Sequence, residues 1–364
     1  MLENTLYKLK NENKLTLGFF GGSITEGAGA SDTEKTSWRG AVTDWFRERY
    51  PDHEINALQG AIGGTGSEIG MFRLDCDLLS GKPDLVFIEF SVNDAGTDYN
   101  EILTNAETIL RKIYRADPHT DIVFIHTMTR GTAENLASGG EYVSRGAYST
   151  VMHRYGIPQI DVGEALRTRV LSSGGVWDDW LPDAIHPNDA GYAVCARTIT
   201  DHLAEMLDKA EPTPTAKELP EQISHDLRLS ARLEDASENA VAIGFKKVDK
   251  SICGYYDGYL EGTSGASLTF EFDGRRIGMY VMYSKDSGDF YWSIDGGQET
   301  LFRVWSPFNR RNDFLGGPLF GGELENGHHT LSIRVADSKA DESDGKMIRI
   351  GAFMVLIRAT ISKL

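Results

Sequence analysis

Residues 15–27 read LTLGFFGGSITEG, an apolar run that passes directly into a glycine-rich turn. The run predicts a β-strand over residues 15–20, and the glycines after it allow the chain to turn sharply. Open α/β folds bind their ligands at the carboxyl edge of the sheet, so Ser23 would be exposed at that edge. There a serine can act as a nucleophile, as a phosphate-loop residue or as an ordinary turn residue.

Four further apolar runs follow, and they alternate with segments whose apolar residues have helical spacing. The runs cover residues 54–58, 84–90, 121–128 and 159–162. Runs such as DLVFIEF and DIVFIHTM are apolar on both faces, as strands must be when helices cover both sides of a sheet. The pattern predicts an α/β domain with a doubly wound, parallel, five-stranded sheet and a last helix over residues 188–209.

The character of the sequence changes after residue 210. Residues 211–221, EPTPTAKELPE, contain three prolines without helical or strand periodicity and predict an exposed linker. Beyond it, short alternating runs such as SLTFEFDG and RIGMYVMY are separated by Gly, Asp and Asn turns, which predicts an antiparallel β-sandwich. We therefore expect a first domain at residues 1–210, a linker at 211–221 and a sandwich domain at 222–364.

The net charge of −17 disfavours nucleic acid and anionic lipid surfaces as partners. No run of about 18 apolar residues predicts a membrane span, and the amino terminus lacks the pattern of a secretory signal, so we expect a cytoplasmic protein. The cysteines, Cys76, Cys195 and Cys253, are odd in number and far apart. We expect reduced, buried thiols rather than disulfides or a thiolate metal cluster.

A second chemical motif is Asp183-Ala184-Ile185-His186-Pro187, directly before the last predicted helix. An acid three residues before a histidine can lie beside its ring and fix the tautomer, while the other ring nitrogen faces a nucleophile. Taken alone, the motif is better explained by a capping Asp beside a surface His. A metal site would need further ligands at suitable spacing, and none accompanies the motif, so no metal is expected.

Two more segments follow predicted strands: AIGGTGS at residues 61–67 and SVND at residues 91–94. The first can present a backbone N–H group to an anion, and the amide of Asn93 in the second can donate a hydrogen bond. Together with the N–H group of Ser23 they would supply three donors to a developing oxyanion. Each segment taken alone is also ordinary turn chemistry.

In this order and at these strand ends, GGSIT, the Gly64 segment, SVND and DAIHP resemble the SGNH (GDSL-like) hydrolase superfamily. The resemblance implies a flavodoxin-like fold and a serine esterase that needs no cofactor. By this resemblance Ser23 is the nucleophile, His186 the general base and acid, and Asp183 the orienting carboxylate. Gly64 and Asn93 are the oxyanion donors beside the Ser23 N–H group.

The resemblance covers roughly residues 15–210, and two positions depart from the commonest pattern. Gly22 replaces an Asp, and Ser91 replaces a Gly. Both departures are tolerated in carbohydrate-active branches of the superfamily, so they leave the predicted triad intact and weaken a lipase assignment. The G-x-S-x-G elbow of the α/β-hydrolases is absent around Ser23.

Aromatic residues near these motifs favour a sugar substrate. Trp180 could stack on the apolar face of a sugar ring, and Asp178 and Arg39 could bind hydroxyl groups. Trp38 is a further candidate for stacking, although its helical spacing with Val42 also fits a core position.

The region from Tyr255 onward is similar to jelly-roll, carbohydrate-binding sandwiches, and residues 305–311, WSPFNRR, predict a loop in it. Loop aromatics tend to be functional, so Trp305 is a candidate sugar contact. An SGNH domain followed by such a sandwich resembles the intracellular two-domain acetyl esterases that deacetylate plant mannan oligosaccharides. The expected partner is therefore an acetylated oligosaccharide, and an oligomeric state is left open.

Two other functions stay open. A lysophospholipase, thioesterase or short-chain lipid esterase would have an apolar acyl channel, and rates measured against acyl chain length would distinguish it. A non-catalytic sugar-binding protein would retain only a degenerate triad. The presence of Ser23, Asn93, Asp183 and His186 argues against that second alternative.

Overall fold

The computed structural model describes residues 2–252, 256–310 and 313–357 of the chain. Contacts divide the chain into two units, Met1–Leu229 and Ser230–Leu364. Of the helices within the described ranges, none is both long and apolar enough to cross a membrane. Cys253, Tyr255 and Arg311, which the sequence analysis singled out, lie outside the described residues.

The first unit is built on a five-stranded parallel sheet. Its strands are β1 (Lys14–Gly21), β2 (Glu54–Ala61), β3 (Leu85–Glu89), β4 (Asp121–His126) and β5 (Gln159–Asp161). They lie in the order β2-β1-β3-β4-β5, and each neighbouring pair is parallel. This is the strand order of a doubly wound, flavodoxin-like sheet, so the predicted fold class is confirmed for this unit.

Helices alternate with these strands along the chain. They are α1 (Glu3–Asn11), α2 (Ser23–Glu26), α3 (Trp38–Arg49), α4 (Ser67–Asp77), α5 (Tyr99–Ala116), α6 (Arg130–Ala137), α7 (Val143–Tyr155), α8 (Val162–Ser172) and α9 (Asp189–Lys209), with 3₁₀ turns at Leu79–Gly81 and Trp177–Asp179. Every residue of β3 and β4 is buried. Such burial is what strands show when helices cover both faces of their sheet.

The apolar core on one side of the sheet joins β1 and its neighbours to α1, α3 and α9. Phe19 stacks on Phe87 with ring centroids 5.1 Å apart, and Trp38 meets Phe19 edge-on at 5.4 Å. Only 1% of Trp38 is exposed. Trp38 is therefore a core residue, the alternative that its helical spacing had left open.

Residues 211–221 have no regular secondary structure, and most of them are exposed. Their backbone is nevertheless hydrogen-bonded to the first unit, since Lys217 N–H donates to Pro118 O at 2.8 Å. Shortly after, Ser224 N–H donates to the Glu107 carboxylate at 2.7 Å. Residues 211–221 thus belong to the unit Met1–Leu229, and the predicted domain boundaries at residues 210 and 221 stay predictions.

The second unit contains two antiparallel sheets. Its elements are β6 (Arg232–Asp235), α10 (Ala236–Asn239), β7 (Val241–Ile243), β8 (Lys246–Ile252), β9 (Tyr256–Gly262), β10 (Ser267–Gly274), β11 (Arg276–Tyr283), β12 (Asp289–Ile294), β13 (Thr300–Arg303), a 3₁₀ turn (Pro307–Arg310), β14 (Phe314–Gly316), β15 (Leu319–Phe320), β16 (Gly327–Val335) and β17 (Ile348–Leu356). One sheet has the order β13-β12-β16-β10-β7, and the other has the order β14-β11-β17-β9-β8 with β15 on β11 and β6 on β17.

The two sheets share one apolar core. Along β10, buried and more exposed residues alternate, as expected for a strand with one face on a core. Phe270 of β10 stacks on Phe353 of β17, from the other sheet, with centroids 4.1 Å apart. The predicted antiparallel sandwich is confirmed.

Of the two cysteines within the described residues, one is buried and the other is exposed. Cys195 is buried in the core of the first unit, as predicted. Cys76 is exposed, so the expectation of a buried thiol was wrong for it. The reason is its position on α4, where Arg73 and Leu74 occupy the buried side.

Candidate active site

Ser23 begins α2, a single helical turn that follows β1 almost immediately. Residues 22–27 form a tight turn, the Ser23 turn, in which Glu26 N–H donates to Gly22 O at 2.9 Å. Gly27 ends the turn in the left-handed region, with φ at 104°. The sharp change of direction leaves Ser23 half-buried at the carboxyl edge of the sheet.

A continuous line of contacts joins Ser23 to His186 and Asp183. Ser23 Oγ lies 2.7 Å from His186 Nε2, and His186 Nδ1 lies 2.7 Å from Asp183 Oδ2. A carboxylate can only accept, so Nδ1 carries a proton and Nε2 of a neutral imidazole is free to accept from the hydroxyl. This arrangement can deprotonate a serine as it attacks a carbonyl carbon.

Residues 183–187, the Asp-His turn, are held by backbone hydrogen bonds. Asp183 Oδ1 accepts from the N–H groups of Ile185 at 3.0 Å and His186 at 2.7 Å. Ala184 lies in the left-handed region with φ at 68°, a conformation that costs a residue with a Cβ about 1 kcal/mol. Its carbonyl accepts from Arg130 N–H at 3.0 Å, which fastens the turn to the start of α6.

Asp183 is electrostatically suited to this position. Partial burial opposes its ionisation, but the N–H groups of His186 and Ile185 and the His186 ring outweigh burial and lower the pKa of Asp183. The carboxylate is therefore charged at neutral pH and can stabilise a protonated His186. Because 48% of the Asp183 side chain is exposed, water screens part of that interaction.

The segment at residues 91–94 brings Asn93 against the Ser23 turn. A Cβ built on Gly22 would stand 2.0 Å from Asn93 Oδ1, so a larger residue at position 22 would displace the Asn93 amide. In this structure the close approach therefore favours glycine at position 22.

Ser91, the other departure, is fully buried and has partners of its own. Its Oγ lies 3.4 Å from His126 Nδ1, and its carbonyl accepts from Ser144 Oγ at 2.7 Å. The hydroxyl thus meets a buried polar partner that a glycine could not reach.

Residues 61–67, the Gly64 loop, also lie beside Ser23. Gly64 has φ at 75°, and a Cβ there would meet no atom within 4 Å, so glycine is needed for its backbone conformation rather than for space. A Cβ on Gly63 would lie 3.6 Å from Ser23 Cβ. The structure therefore brings Ser23, the Gly64 loop and Asn93 to one place.

Asp94 joins the Asn93 segment to the Gly64 loop. Its carboxylate accepts from Ser67 N–H at 3.1 Å and from Tyr148 Oη at 2.5 Å. Burial raises the pKa of Asp94, while these donors oppose the rise. The bond from Ser67 joins the two segments that carry the predicted oxyanion donors.

Arg73 on α4 lies beneath the same loops and is fully buried. Its guanidinium donates to Gly21 O at 2.8 Å and to Thr65 Oγ1 at 3.1 Å, and it pairs with Asp77 Oδ2 at 2.9 Å. It thus ties the strand before the Ser23 turn to the Gly64 loop. The sequence offers no signal for Arg73, because a charged residue on a helix ordinarily predicts an exposed face.

Glu89 is a second residue that the sequence patterns do not single out. It is fully buried at the end of β3, beside the Ser23 turn, and burial raises the pKa of Glu89 to about 6. Its place in an apolar run, DLVFIEF, is the one available hint, because a carboxylate in a buried strand needs partners.

Trp180 and Asp178 lie near the Asp-His turn. Trp180 is half-buried, and the guanidinium of Arg169 lies 5.5 Å from its ring centroid. Asp178 is exposed and accepts from Arg130 Nη1 at 3.3 Å, and Arg130 is also the residue that bonds Ala184. Their roles as sugar contacts stay predictions.

Arg39 does not fit the role predicted for it. Only 3% of Arg39 is exposed, and its guanidinium forms two hydrogen bonds with Glu34, at 2.7 and 3.0 Å. It also donates to Thr33 O at 3.4 Å. The side chain lies on the buried side of α3, and both of its Nη groups are engaged by Glu34 and Thr33, so burial rather than missing donors separates it from a sugar in solvent.

Trp305 belongs to the second unit, between β13 and the 3₁₀ turn. It is half-buried, whereas Phe308 in the same segment is 56% exposed. Asn309 anchors the segment by donating to Ser284 O at 3.0 Å. The predicted sugar contact at Trp305 stays a prediction.

In the ranges that the structure describes, no group of three or more His, Cys, Asp or Glu is placed to hold a metal ion.

Residues 19–194 match the model of the GDSL-like lipase/acylhydrolase family. The chain carries a GDSL-like lipase/acylhydrolase domain. Ser23, Asn93, Asp183 and His186 all lie within the matched range of this GDSL-like domain. A search of curated protein sequences gives no match.

Two solved structures are similar to the GDSL-like domain together with the second unit. Both are of a two-domain esterase (CEX) active on acetylated mannans, and one was co-crystallised with mannopentaose. Each is 23% identical to this chain in sequence, and each match covers 95% of the solved chain. The complex with mannopentaose matches 99% of this chain with a TM-score of 0.83, and the other structure matches 98% with a TM-score of 0.84. At this identity the likeness establishes the two-domain fold that the sequence predicted.

Proposed function

We propose that this chain is a carbohydrate O-acetyl esterase that removes acetyl groups from acetylated oligosaccharides. Its catalytic triad would be Ser23, His186 and Asp183. The observation that carries the proposal is the line of two 2.7 Å contacts from the Ser23 hydroxyl through the imidazole to the Asp183 carboxylate. A hydroxyl, a base and an orienting acid in this geometry support acyl transfer.

The first half-reaction acylates Ser23. Ser23 Oγ bonds to the acetyl carbonyl carbon while His186 Nε2 takes the hydroxyl proton, and Asp183 stabilises the imidazolium. The carbonyl oxygen becomes a tetrahedral oxyanion. The N–H groups of Ser23 and Gly64 and the amide of Asn93 would donate to it, which stabilises charge that exists only in the transition state and the intermediate.

The intermediate then collapses and expels the sugar oxygen, which receives the proton from His186 Nε2. The acetyl group stays on Ser23. A water molecule, deprotonated by His186, attacks this ester, and the second tetrahedral intermediate releases acetate and restores the serine hydroxyl. The Ser23 proton leaves on the sugar hydroxyl, and a proton from water replaces it on Ser23 through His186. The cycle therefore consumes only the ester and water, and the second product is acetic acid, which ionises to acetate at neutral pH.

The substrate class rests on several observations. The fold match to an esterase active on acetylated mannans makes acetylated manno-oligosaccharides the first substrates to test. Trp180 and Asp178 near the Asp-His turn offer an aromatic face and a carboxylate to a sugar, and Trp305 in the second unit offers another aromatic face. The net charge of −17 favours a neutral substrate over an anionic one.

The direct test measures acetate release from acetylated manno- and xylo-oligosaccharides by the parent chain and by Ser23→Ala. The parent is expected to release acetate, and the variant to lose about 10⁴-fold or more in kcat because triad members act as a unit. If Ser23→Ala keeps more than about a tenth of the activity, the mechanism is wrong. Circular dichroism of the variant establishes that it is folded.

A second measurement distinguishes the other ester substrates. Rates on chromogenic esters of increasing acyl length are expected to be highest for acetate and to fall as the chain lengthens. Rates that rise with acyl length would instead identify a lipid esterase or thioesterase. A folded protein that binds oligosaccharide but hydrolyses no ester would be a sugar-binding protein.

A further inference from the structure

Glu89 is a fully buried carboxylate at the carboxyl end of β3, and the mechanism above gives it no task. Across the parallel sheet it is paired with Gly21, the residue that leads into the Ser23 turn. A buried charge is costly unless donors surround it, so its contacts decide whether it can remain ionised.

Three donors converge on this carboxylate. Thr25 Oγ1 donates to Oε2 at 2.9 Å, and Thr127 Oγ1 donates to Oε1 at 2.6 Å. The N–H group of Gly22 is directed to the same carboxylate. Gly22 and Thr25 lie on either side of Ser23 in the chain, and Thr127 directly follows β4. The carboxylate thus joins the Ser23 turn to the neighbouring strand.

Thr127 continues the connection to the other half of the site. Three residues later, Arg130 N–H donates to Ala184 O in the Asp-His turn at 3.0 Å. A shift at Thr127 would be transmitted through this short segment to the turn that carries His186. A series of hydrogen bonds, buried at Glu89 and half-buried at Arg130, therefore leads from Glu89 to both partners of the 2.7 Å contact between Ser23 and His186.

We propose that Glu89 is a positioning residue, whose carboxylate holds the Ser23 turn and the Asp-His turn in the relative position that attack requires. The proposal rests on the proposed function, since it concerns the same nucleophile. Glu89 acts behind the site, through the residues that bond it. A misplacement of about 1 Å at a reacting centre can cost about 100-fold in rate, so its loss should lower kcat rather than raise KM.

The test is Glu89→Gln in the full chain, with Glu107→Gln as the matched control. Glu107 is also fully buried, and it accepts from Tyr155 Oη at 2.6 Å and from Ser224 N–H at 2.7 Å, on helix α5. The same substitution there measures the general effect of removing a buried carboxylate. For both variants we would measure kcat and KM on a chromogenic acetate, the rate of Ser23 labelling by a fluorophosphonate, and the thermal midpoint.

Glu89→Gln is expected to lower kcat about 10- to 100-fold and to slow fluorophosphonate labelling to a similar extent. KM should stay within about threefold, and Glu107→Gln should lower the thermal midpoint without a comparable loss of kcat. Equal kcat values for the two variants would overturn the proposal. Ser23→Ala in the same assay separates the two hypotheses, because activity in that variant would refute the proposed function itself.

A second pair of variants tests the same connection if Glu89→Gln does not fold. Thr25→Val removes the hydroxyl that reaches Glu89 at nearly constant shape, and Thr25→Ser restores it. We expect kcat to fall about tenfold in Thr25→Val and to recover in Thr25→Ser. Equal kcat values in the two Thr25 variants would contradict the positioning role.

Discussion

Replacing Asp183 by Asn changes one atom and tests the orientation of the imidazole. In the parent, Asp183 Oδ1 accepts from two backbone N–H groups, those of Ile185 and His186, and Oδ2 accepts from His186 Nδ1. If the introduced amide keeps its oxygen on the backbone donors, its NH₂ group faces Nδ1. The ring must then carry its proton on Nε2, which can no longer accept from Ser23.

The size of the loss follows from the alternative orientation of that amide. Turning its oxygen toward Nδ1 restores the tautomer but points the NH₂ group at two backbone donors. Leaving both donors unpaired costs about 2–4 kcal/mol in total, which is about 30- to 1000-fold in kcat. Loss of the carboxylate charge adds about 1 kcal/mol at a site as exposed as this one. The expected decrease in kcat is therefore about 10²- to 10⁴-fold.

The assay is hydrolysis of a chromogenic acetate by the parent, Asp183→Asn and the control Asp201→Asn. Asp201 is an exposed carboxylate on α9 that pairs with Arg197 at 3.1 Å, so the control makes the same change on the surface. Its kcat should equal that of the parent. If folded Asp183→Asn keeps more than about a tenth of the parent kcat, the assignment of Asp183 as the orienting acid is refuted.

Three further predictions concern other parts of the molecule. Asn93→Ala should lower kcat about 10²-fold or more with little change in KM, and weakened binding at unaltered turnover would move Asn93 out of the oxyanion hole. Trp305→Ala should spare hydrolysis of a chromogenic acetate and lower kcat/KM on an acetylated oligosaccharide about tenfold, and unchanged values on both substrates would exclude a sugar contact. Burial raises the pKa of Glu89 from 4.5 to about 6, so the native state binds this proton more tightly than the unfolded state and loses stability as pH rises between those values. Between pH 4.5 and about pH 6 the free energy of unfolding of the parent should therefore fall by about 2 kcal/mol relative to that of Glu89→Gln, as measured by urea titrations. A difference in unfolding free energy between the two proteins that does not change with pH would contradict this.

The strand pattern and the local motifs could be predicted from the sequence because they depend on residues a few positions apart. The strand that leads to Ser23 was predicted at residues 15–20 and extends over Lys14–Gly21. Asp183 and His186 are three residues apart, so one turn suffices to bring carboxylate and imidazole together. The order of such motifs at successive strand ends then predicts a common edge, because parallel strands place their carboxyl ends together.

Long-range contacts were decided only by the tertiary structure. Arg39 has the residue type of a hydroxyl-binding group, yet packing buries it against Glu34. Glu89 interrupts an apolar strand, and its nearest side-chain donor, Thr127, is 38 positions away. Arg73 similarly bonds Gly21 O, 52 positions away. Periodicity reports which face of an element is apolar, whereas the burial of a charged side chain depends on partners that only the assembled fold brings beside it.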